Sequence, residues 1–240
     1  MRIGIIGYGK MGQAIEQLAI ERGHEITLKA DHTGFGVSDL EHVDVAIEFT
    51  TPDAAVGNIE KCFNAGVPVV VGTTAWYDQY DDVVAKCNSL NGGLFTATNF
   101  SIGVNLFFKI NALAAQLIDP YTEYEVSVDE IHHTQKLDAP SGTAITTVET
   151  LTHNLSRKNQ WIHHENGIGE AANDNEIVVN SYREENVPGT HAVKYESDID
   201  TIELKHTAHN RKGFATGAIV AAEWMLGKTG VYTMKDLLNI

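Results

Sequence analysis

Basic residues are scarce in this chain. Its 240 residues hold 17 Lys and Arg against 32 Asp and Glu, a formal net charge of −15. A field of that sign repels polyanions, which argues against binding nucleic acid or an anionic membrane surface. Cysteine is scarcer still. Cys62 and Cys87 stand alone at no metal or redox spacing, so both are expected as reduced thiols of a cytoplasmic protein. No apolar run reaches the ~18 residues needed to span a bilayer. The opening Met1–Gly7 is too short an apolar run for a signal peptide and reads as a strand. Repeats at solenoid period and low-complexity segments are missing too. What is present is 43% hydrophobic and 20% charged, ordinary values for a globular protein with one large core or two small ones. An anionic ligand would need a local cationic pocket.

The first hundred residues alternate strand and helix. Arg2–Ile6 is an apolar strand, followed by Gly7-Tyr8-Gly9-Lys10-Met11-Gly12 and a helical pattern through about Ala19. This is G-x-G-x-x-G between strand and helix. Gly7 allows the tight turn, Gly9 the approach of a pyrophosphate, and Gly12 close helix–strand packing. A second strand, Glu25–Lys29, ends near Asp31, which lies 19 residues after Gly12 and is placed to accept from ribose hydroxyls. Lys29 and His32 flank it and can instead meet a 2′-phosphate, so NADPH and NADH both stay open as cofactor. Strands follow at Val43–Phe49, Val67–Val71 and Leu94–Thr98, with helices at Pro52–Ala65 and from about Thr74 to Asn88. The expectation is an α/β chain, a Rossmann-type doubly wound parallel sheet. Ligands of such sheets bind at the carboxyl ends of strands, where Phe49-Thr50, Gly72-Thr73-Thr74 and Ala97-Thr98-Asn99-Phe100 fall. Turn residues chosen for conformation alone would look the same at any one of these places.

The chemistry-bearing stretch is Glu130-Ile131-His132-His133-Thr134-Gln135-Lys136-Leu137-Asp138-Ala139-Pro140-Ser141-Gly142-Thr143-Ala144. Before it, Tyr124, Val126, Val128, Glu130 and His132 share one parity, as in a half-buried strand that ends at His132 and leaves Lys136 in a loop. Ser141 reads as the N-cap of a helix running to Arg157, whose free N–H groups favour a bound carboxylate. Two imidazoles, an ammonium and a helix N-terminus suffice to hold a small anion and hand it a proton. An ordinary strand, loop and helix with surface histidines is the alternative.

An amphipathic helix at Asn105–Ile118 reads as the crossover into a second domain. Residues 158–175 read as loop, rich in Asn and Gly. Adjacent His163 and His164 would point to opposite faces of a strand and make a poor ligand pair, so no metal site is expected. Strands at Glu176–Arg183, His191–Tyr195 and Thr201–His206 predict a second α+β domain on a mixed or antiparallel sheet, before a final helix at Gly213–Leu226.

The run H-H-x-x-K-x-D-A-P-S-G-T-A resembles the signature of the dihydrodipicolinate reductase family. Lys10-Met11-Gly12, Gly72-Thr73-Thr74 and Ala97-Thr98-Asn99-Phe100-Ser101-Ile102-Gly103-Val104-Asn105 resemble other family segments, although the glycine loop is a residue shorter than the family's frequent form. The resemblance implies reduction of 4-hydroxy-tetrahydrodipicolinate to tetrahydrodipicolinate by NADPH or NADH with loss of water, in lysine and diaminopimelate biosynthesis. It implies His132 and Lys136 as the catalytic pair, without saying which delivers the proton. His133 would bind the dicarboxylate, and Ser141, Gly142 and Thr143 would grip its other carboxylate. Glu130 would orient an imidazole or serve as a plain salt-bridge partner. Gly7, Tyr8, Gly9, Lys10, Met11, Gly12, Asp31, Gly72, Thr73, Thr74, Ala97, Thr98, Asn99 and Phe100 would serve the cofactor. A dinucleotide-binding domain over 1–104 plus 211–240, a substrate-binding and oligomerisation domain over 105–210, and a cytoplasmic homotetramer complete the expectation. Another two-domain dehydrogenase, acting without dehydrating a ring, is the nearest alternative. A nucleotide-sensing regulator would need a partner surface and leaves His132 and Lys136 unexplained.

Overall fold

The computed structural model describes residues 1–210 and 212–240. In chain order the elements are β1 (Arg2–Ile6), α1 (Lys10–Glu21), β2 (Glu25–Ala30), β3 (Val45–Glu48), α2 (Pro52–Ala65), β4 (Val69–Val71), α3 (Tyr80–Ser89) and β5 (Gly93–Thr96). Next come α4 (Ile102–Ile118), β6 (Glu125–His132), α5 (Gly142–Asn154), β7 (Gln160–Glu165), β8 (Glu176–Arg183), β9 (Gly189–Glu196) and β10 (Thr201–Ala208). The chain closes with α6 (Lys212–Met225), β11 (Gly230–Thr233) and α7 (Met234–Leu238). Two compact units result, Met1–Ile102 with Lys212–Ile240, and Gly103–Arg211. Of the tail segment expected to begin at Arg211, that one residue lies outside the described residues.

The first unit is a six-stranded sheet in the order β11-β5-β4-β3-β1-β2, with every pairing parallel. Its inner strands β1, β3, β4 and β5 are buried almost throughout because both faces are covered, whereas edge strand β2 alternates polar and apolar residues. Ile3, Ile5, Val45, Ile47 and Val70 pack with α1 and α6 residues such as Ile15, Ala218 and Ala222. Ile6, Ala46, Val69 and Val71 face the other way, towards Ile59 and Phe63 of α2 and Val83 of α3. β1 has β2 on one side and β3 on the other, so the strand order reverses between β1 and β3. That gap is where ligands of open α/β sheets bind.

The second unit is a mixed sheet in the order β10-β9-β6-β8-β7. β6, β8 and β7 run parallel, and β9 runs antiparallel to β6 and β10. Val126, Val128, Ile177, Val179, Val193 and Tyr195 form its core face, covered by Phe107 and Ala115 of α4 and by Ala144, Val148 and Leu151 of α5. The opposite face is polar: Lys194 donates to Asp129 at 2.5 Å, and Asn180 donates to the same carboxylate at 2.8 Å.

Several boundaries differ from the expectation. β7 occupies part of the segment read as loop over 158–175. Gln-Trp-Ile-His-His-Glu shows no alternation because this edge strand has no fully buried position. α5 stops at Asn154 rather than Arg157, since Leu155 turns into extended backbone and is buried, and the Ser156 N–H donates to Asp119 at 2.7 Å. α4 starts at Ile102 rather than Asn105, just after a turn in which Asn99 Oδ1 accepts the Ser101 N–H at 2.9 Å. Four-residue β11 was not anticipated. It is too short for a periodic signal, and its pairing with β5 makes it a strand.

Candidate active site

In the first unit, β1 delivers Gly7 with φ +98, a conformation that L side chains rarely adopt. A Cβ there would sit 1.9 Å from the Phe49 carbonyl oxygen, whereas one at Gly9 would meet nothing within 4 Å. One glycine therefore serves the turn, and the other leaves an open approach to α1. Gly9 is also the α1 N-cap and supplies no side-chain cap, so first-turn N–H groups remain for an anion. A cavity of about 510 Å³ lies at the β1/β3 reversal, lined by residues including Gly7, Tyr8, Gly9, Asp31, His32, Phe49, Thr50 and Asn58. An open cradle, free helical N–H groups and an acidic residue across the cavity fit a dinucleotide.

Of the residues expected to serve the cofactor, Gly7, Tyr8, Gly9 and Asp31 line that cavity. Lys10, Met11 and Gly12 lie in the first turn of α1 behind it. Thr73 acts one step back: its hydroxyl accepts the Thr50 N–H at 2.7 Å. Gly72, Thr74, Ala97, Thr98, Asn99 and Phe100 fall after β4 and β5 and are not in the cavity wall. Phe100 is buried, and its ring packs 5.7 Å from Phe49. His32, read beside Asp31, lines the cavity as well, and Gly34, Phe35, Ala54 and Asn58 do so unannounced, because no motif marks the residues that close a cleft from the side.

The ion pairs beside this cavity decide its charge. Lys29 Nζ donates to Glu16 Oε1 at 3.0 Å, and the Tyr8 hydroxyl donates to the other oxygen of Glu16. Asp31 Oδ1 accepts from the Thr33 N–H at 2.9 Å and its hydroxyl at 2.7 Å, which holds the carboxyl below its usual range. Glu48, at the end of β3, is fully buried, and burial pushes its carboxyl up against the opposing hydrogen bonds of Thr50, Thr73 and Asn58.

In the second unit, the parity of β6 turns Glu130 and His132 to the buried face. The register sets Glu130 opposite Ser181 of β8 and His191 of β9, and His132 opposite Arg183. Glu130 is 0% exposed. Its Oε1 accepts from Arg183 Nη1 at 3.1 Å, while Oε2 touches His132 Nδ1. Burial pushes this carboxyl up, but bonds from His132, Ser181 and Arg183 outweigh it and hold the group down at about 2. A carboxylate on Nδ1 leaves the His132 Nε2 edge for other work, and that edge lies 3.0 Å from where a Gly189 Cβ would stand.

Arg183 also clamps the loop after β6, donating to the Asp138 carbonyl at 2.8 Å and reaching the Lys136 carbonyl at 3.4 Å. Lys136 holds both Asp138 oxygens, at 2.7 and 2.8 Å, and that bond lowers the Asp138 carboxyl. Ser141 caps α5 as expected, accepting the Ala144 N–H at 3.2 Å. Gly142 and Thr143 occupy the first turn. His133 lines a separate cleft of about 410 Å³ with Gln135, Asn186 and Asn210.

Sequence reasoning missed Arg183 and His191. Both continue core-facing parities, Ile177-Val179-Ser181-Arg183 and His191-Val193-Tyr195, so a polar residue on an apolar stripe was the available signal. Glu130, His132 and His191 present ligand-type atoms within 4.8 Å of one another. Glu130 Oε1 already accepts from Arg183, and that guanidinium opposes an added cation beside the trio. The trio is better suited to proton chemistry than to holding a metal.

Two family models match the chain: "Dihydrodipicolinate reductase, N-terminus" over residues 1–100, and "Dihydrodipicolinate reductase, C-terminus" over residues 103–238. A 4-hydroxy-tetrahydrodipicolinate reductase of Christiangramia forsetii is 46% identical, covering 100% of this chain and 98% of that one. Another, from Neisseria gonorrhoeae, is 33% identical over 94% of this chain and 84% of its own. Among solved structures, a dipicolinate-bound dihydrodipicolinate reductase from Paenisporosarcina sp. TG-14 shares the fold with a TM-score of 0.78, at 23% identity over 98% of each chain.

Proposed function

The chain belongs to the dihydrodipicolinate reductase family, and from that premise we propose how its residues divide the reaction. It is an oxidoreductase, a 4-hydroxy-tetrahydrodipicolinate reductase of lysine and diaminopimelate biosynthesis, dependent on a pyridine nucleotide and acting on a small dicarboxylate. A reduced nicotinamide, when bound, supplies the hydride; the ring loses water and gains one proton overall. Gly7, Tyr8, Gly9 and the α1 N-terminus hold the pyrophosphate, and Asp31 takes the ribose. Lys10, Met11, Gly12, Gly72, Thr73, Thr74, Ala97, Thr98, Asn99 and Phe100 shape the loops around that site.

His132 and Lys136 form the acid pair. The observation that carries this assignment is the buried Glu130 carboxylate on His132 Nδ1. It fixes the ring and leaves Nε2 as the edge from which a protonated His132 would donate. Lys136 leaves Asp138 to meet the substrate. His133 takes one carboxylate, while Ser141, Gly142 and Thr143 take the other at the positive end of α5. The preferred cofactor is NADH. Lys29 is already neutralised by Glu16, so a 2′-phosphate would face the Asp31 carboxylate beside an exposed His32. Glu16→Gln releases Lys29 and Tyr8 and is expected to raise kcat/KM for NADPH relative to NADH about tenfold.

The enzyme works as a cytoplasmic homotetramer built on the polar, uncovered face of the second sheet. Among the described residues, no helix is long and apolar enough to cross a membrane. The deciding experiment follows nicotinamide absorbance on adding substrate made fresh by the preceding synthase, with NADH and NADPH in parallel. Lys136→Ala is expected to lose ~10²–10⁴-fold in turnover, and His133→Ala to lose mainly substrate affinity. Tight nucleotide binding without oxidation would overturn the assignment.

A further inference from the structure

His191 has no role in the chemistry above, yet it sits where that chemistry is prepared. It is only 4% exposed, its Nε2 lies 3.1 Å from Ser141 Oγ, and its ring meets His132 edge to face at 5.1 Å and 70°. Its Nδ1 has no partner among the described residues. Burial first, then the charge of His132, push it down to about 3. Glu130 opposes this, and His206 and Lys136 reinforce it. The ring is therefore neutral and carries a single N–H.

Which nitrogen holds that hydrogen follows from counting at Ser141. A hydroxyl has one hydrogen and two lone pairs. The Ala144 N–H already uses one lone pair of Ser141 Oγ. If the hydroxyl donated to His191 Nε2, the imidazole hydrogen would sit on Nδ1 as a buried donor with no acceptor. If Nε2 carries the hydrogen, it donates to the second lone pair and Nδ1 is left as a bare acceptor. Orphaned buried donors are the rarer and costlier case. The second arrangement also leaves the Ser141 hydrogen without an acceptor among the described residues.

We propose that His191 is a positioning residue, which as the Nε2–H tautomer fills Ser141 and so commits the serine hydroxyl to donate to a substrate carboxylate at the α5 N-terminus. This rests on the substrate placement proposed above. A neutral ring against His132 has a second use, since a second cation there would repel the imidazolium that His132 must form.

The test separates the two layers. Dipicolinate, a stable planar dicarboxylate, is the probe, with its inhibition constant read alongside KM and kcat. His191→Asn should weaken dipicolinate and raise KM about tenfold, the worth of one hydrogen bond to a charged group. His191→Gln, whose amide reaches the Nε2 position, should restore most of the loss. In the Ser141→Ala background, His191→Asn should add nothing further. Long-range ¹H–¹⁵N spectra of the wild-type protein should show Nε2 protonated and Nδ1 bare, a readout that stands even where a variant fails to fold. Full additivity of the two substitutions, or protonated Nδ1, would overturn the role of His191 in an active reductase. A wild-type protein that neither oxidises nicotinamide nor binds dipicolinate would overturn the substrate placement instead.

Discussion

Replacing Glu130 by glutamine keeps the shape of a fully buried side chain and removes its charge. The structure sets the size of the effect. The carboxyl is held at about 2, against an ordinary value of 4.5. The folded-state value is depressed, so the unfolded chain takes up its proton first as pH falls. The stabilisation is complete above 4.5 and drains away as pH drops towards about 2. Such a difference is on the order of 3 kcal/mol at neutral pH, and roughly half of it is gone near pH 3.5. Glutamine has no such titration, so the stability gap between wild type and Glu130→Gln should be large at neutral pH and narrow by ~1–2 kcal/mol on acidification. Hydrogen exchange of the β6 amides is the suitable assay, because it reads the unit that holds Glu130 even if the other unit opens separately. A gap of equal size at both pH values would mean that packing, rather than the carboxylate beside His132 and Arg183, stabilises this face.

Glu48 should behave in the opposite sense. Burial raises its carboxyl above 4.5, so the unfolded chain ionises first and stability falls as pH rises. Glu48→Gln is therefore expected to stabilise the first unit by about 1 kcal/mol at neutral pH and to do little near pH 4, as read from urea midpoints. Gly7→Ala drives a Cβ to 1.9 Å from the Phe49 carbonyl at a positive φ. NADH affinity, followed by nucleotide fluorescence, should fall at least about tenfold, and unchanged binding would refute the turn assigned to that loop. Gly189→Ala puts a methyl group 3.0 Å from His132 Nε2. Turnover should drop while circular dichroism stays native, and wild-type kinetics would show that this edge of the ring is not used.

The sequence by itself determined the local parts. Strand, glycine turn and helix were legible at residues 2–21 because a buried parallel strand and a dinucleotide-type turn both demand particular residues within a few positions. The parity of β6 was legible for the same reason, and so was Ser141 as a cap. Tertiary structure alone decided what these parts meet. Glu130 owes its depressed carboxyl first to His132, two positions on, but also to Ser181 and Arg183, 51 and 53 positions further along the chain, and His191 lies 50 positions beyond Ser141. No local pattern reports such distances, because they depend on strand order and register. Likewise, Lys29 reads in sequence as a cation free to meet a phosphate. Only the packing of β2 beside α1 delivers it to Glu16, a carboxylate that nothing in the surrounding residues marks as its partner. Backbone conformation and burial are written every few residues, whereas charge balance in a pocket belongs to side chains brought together from across the fold.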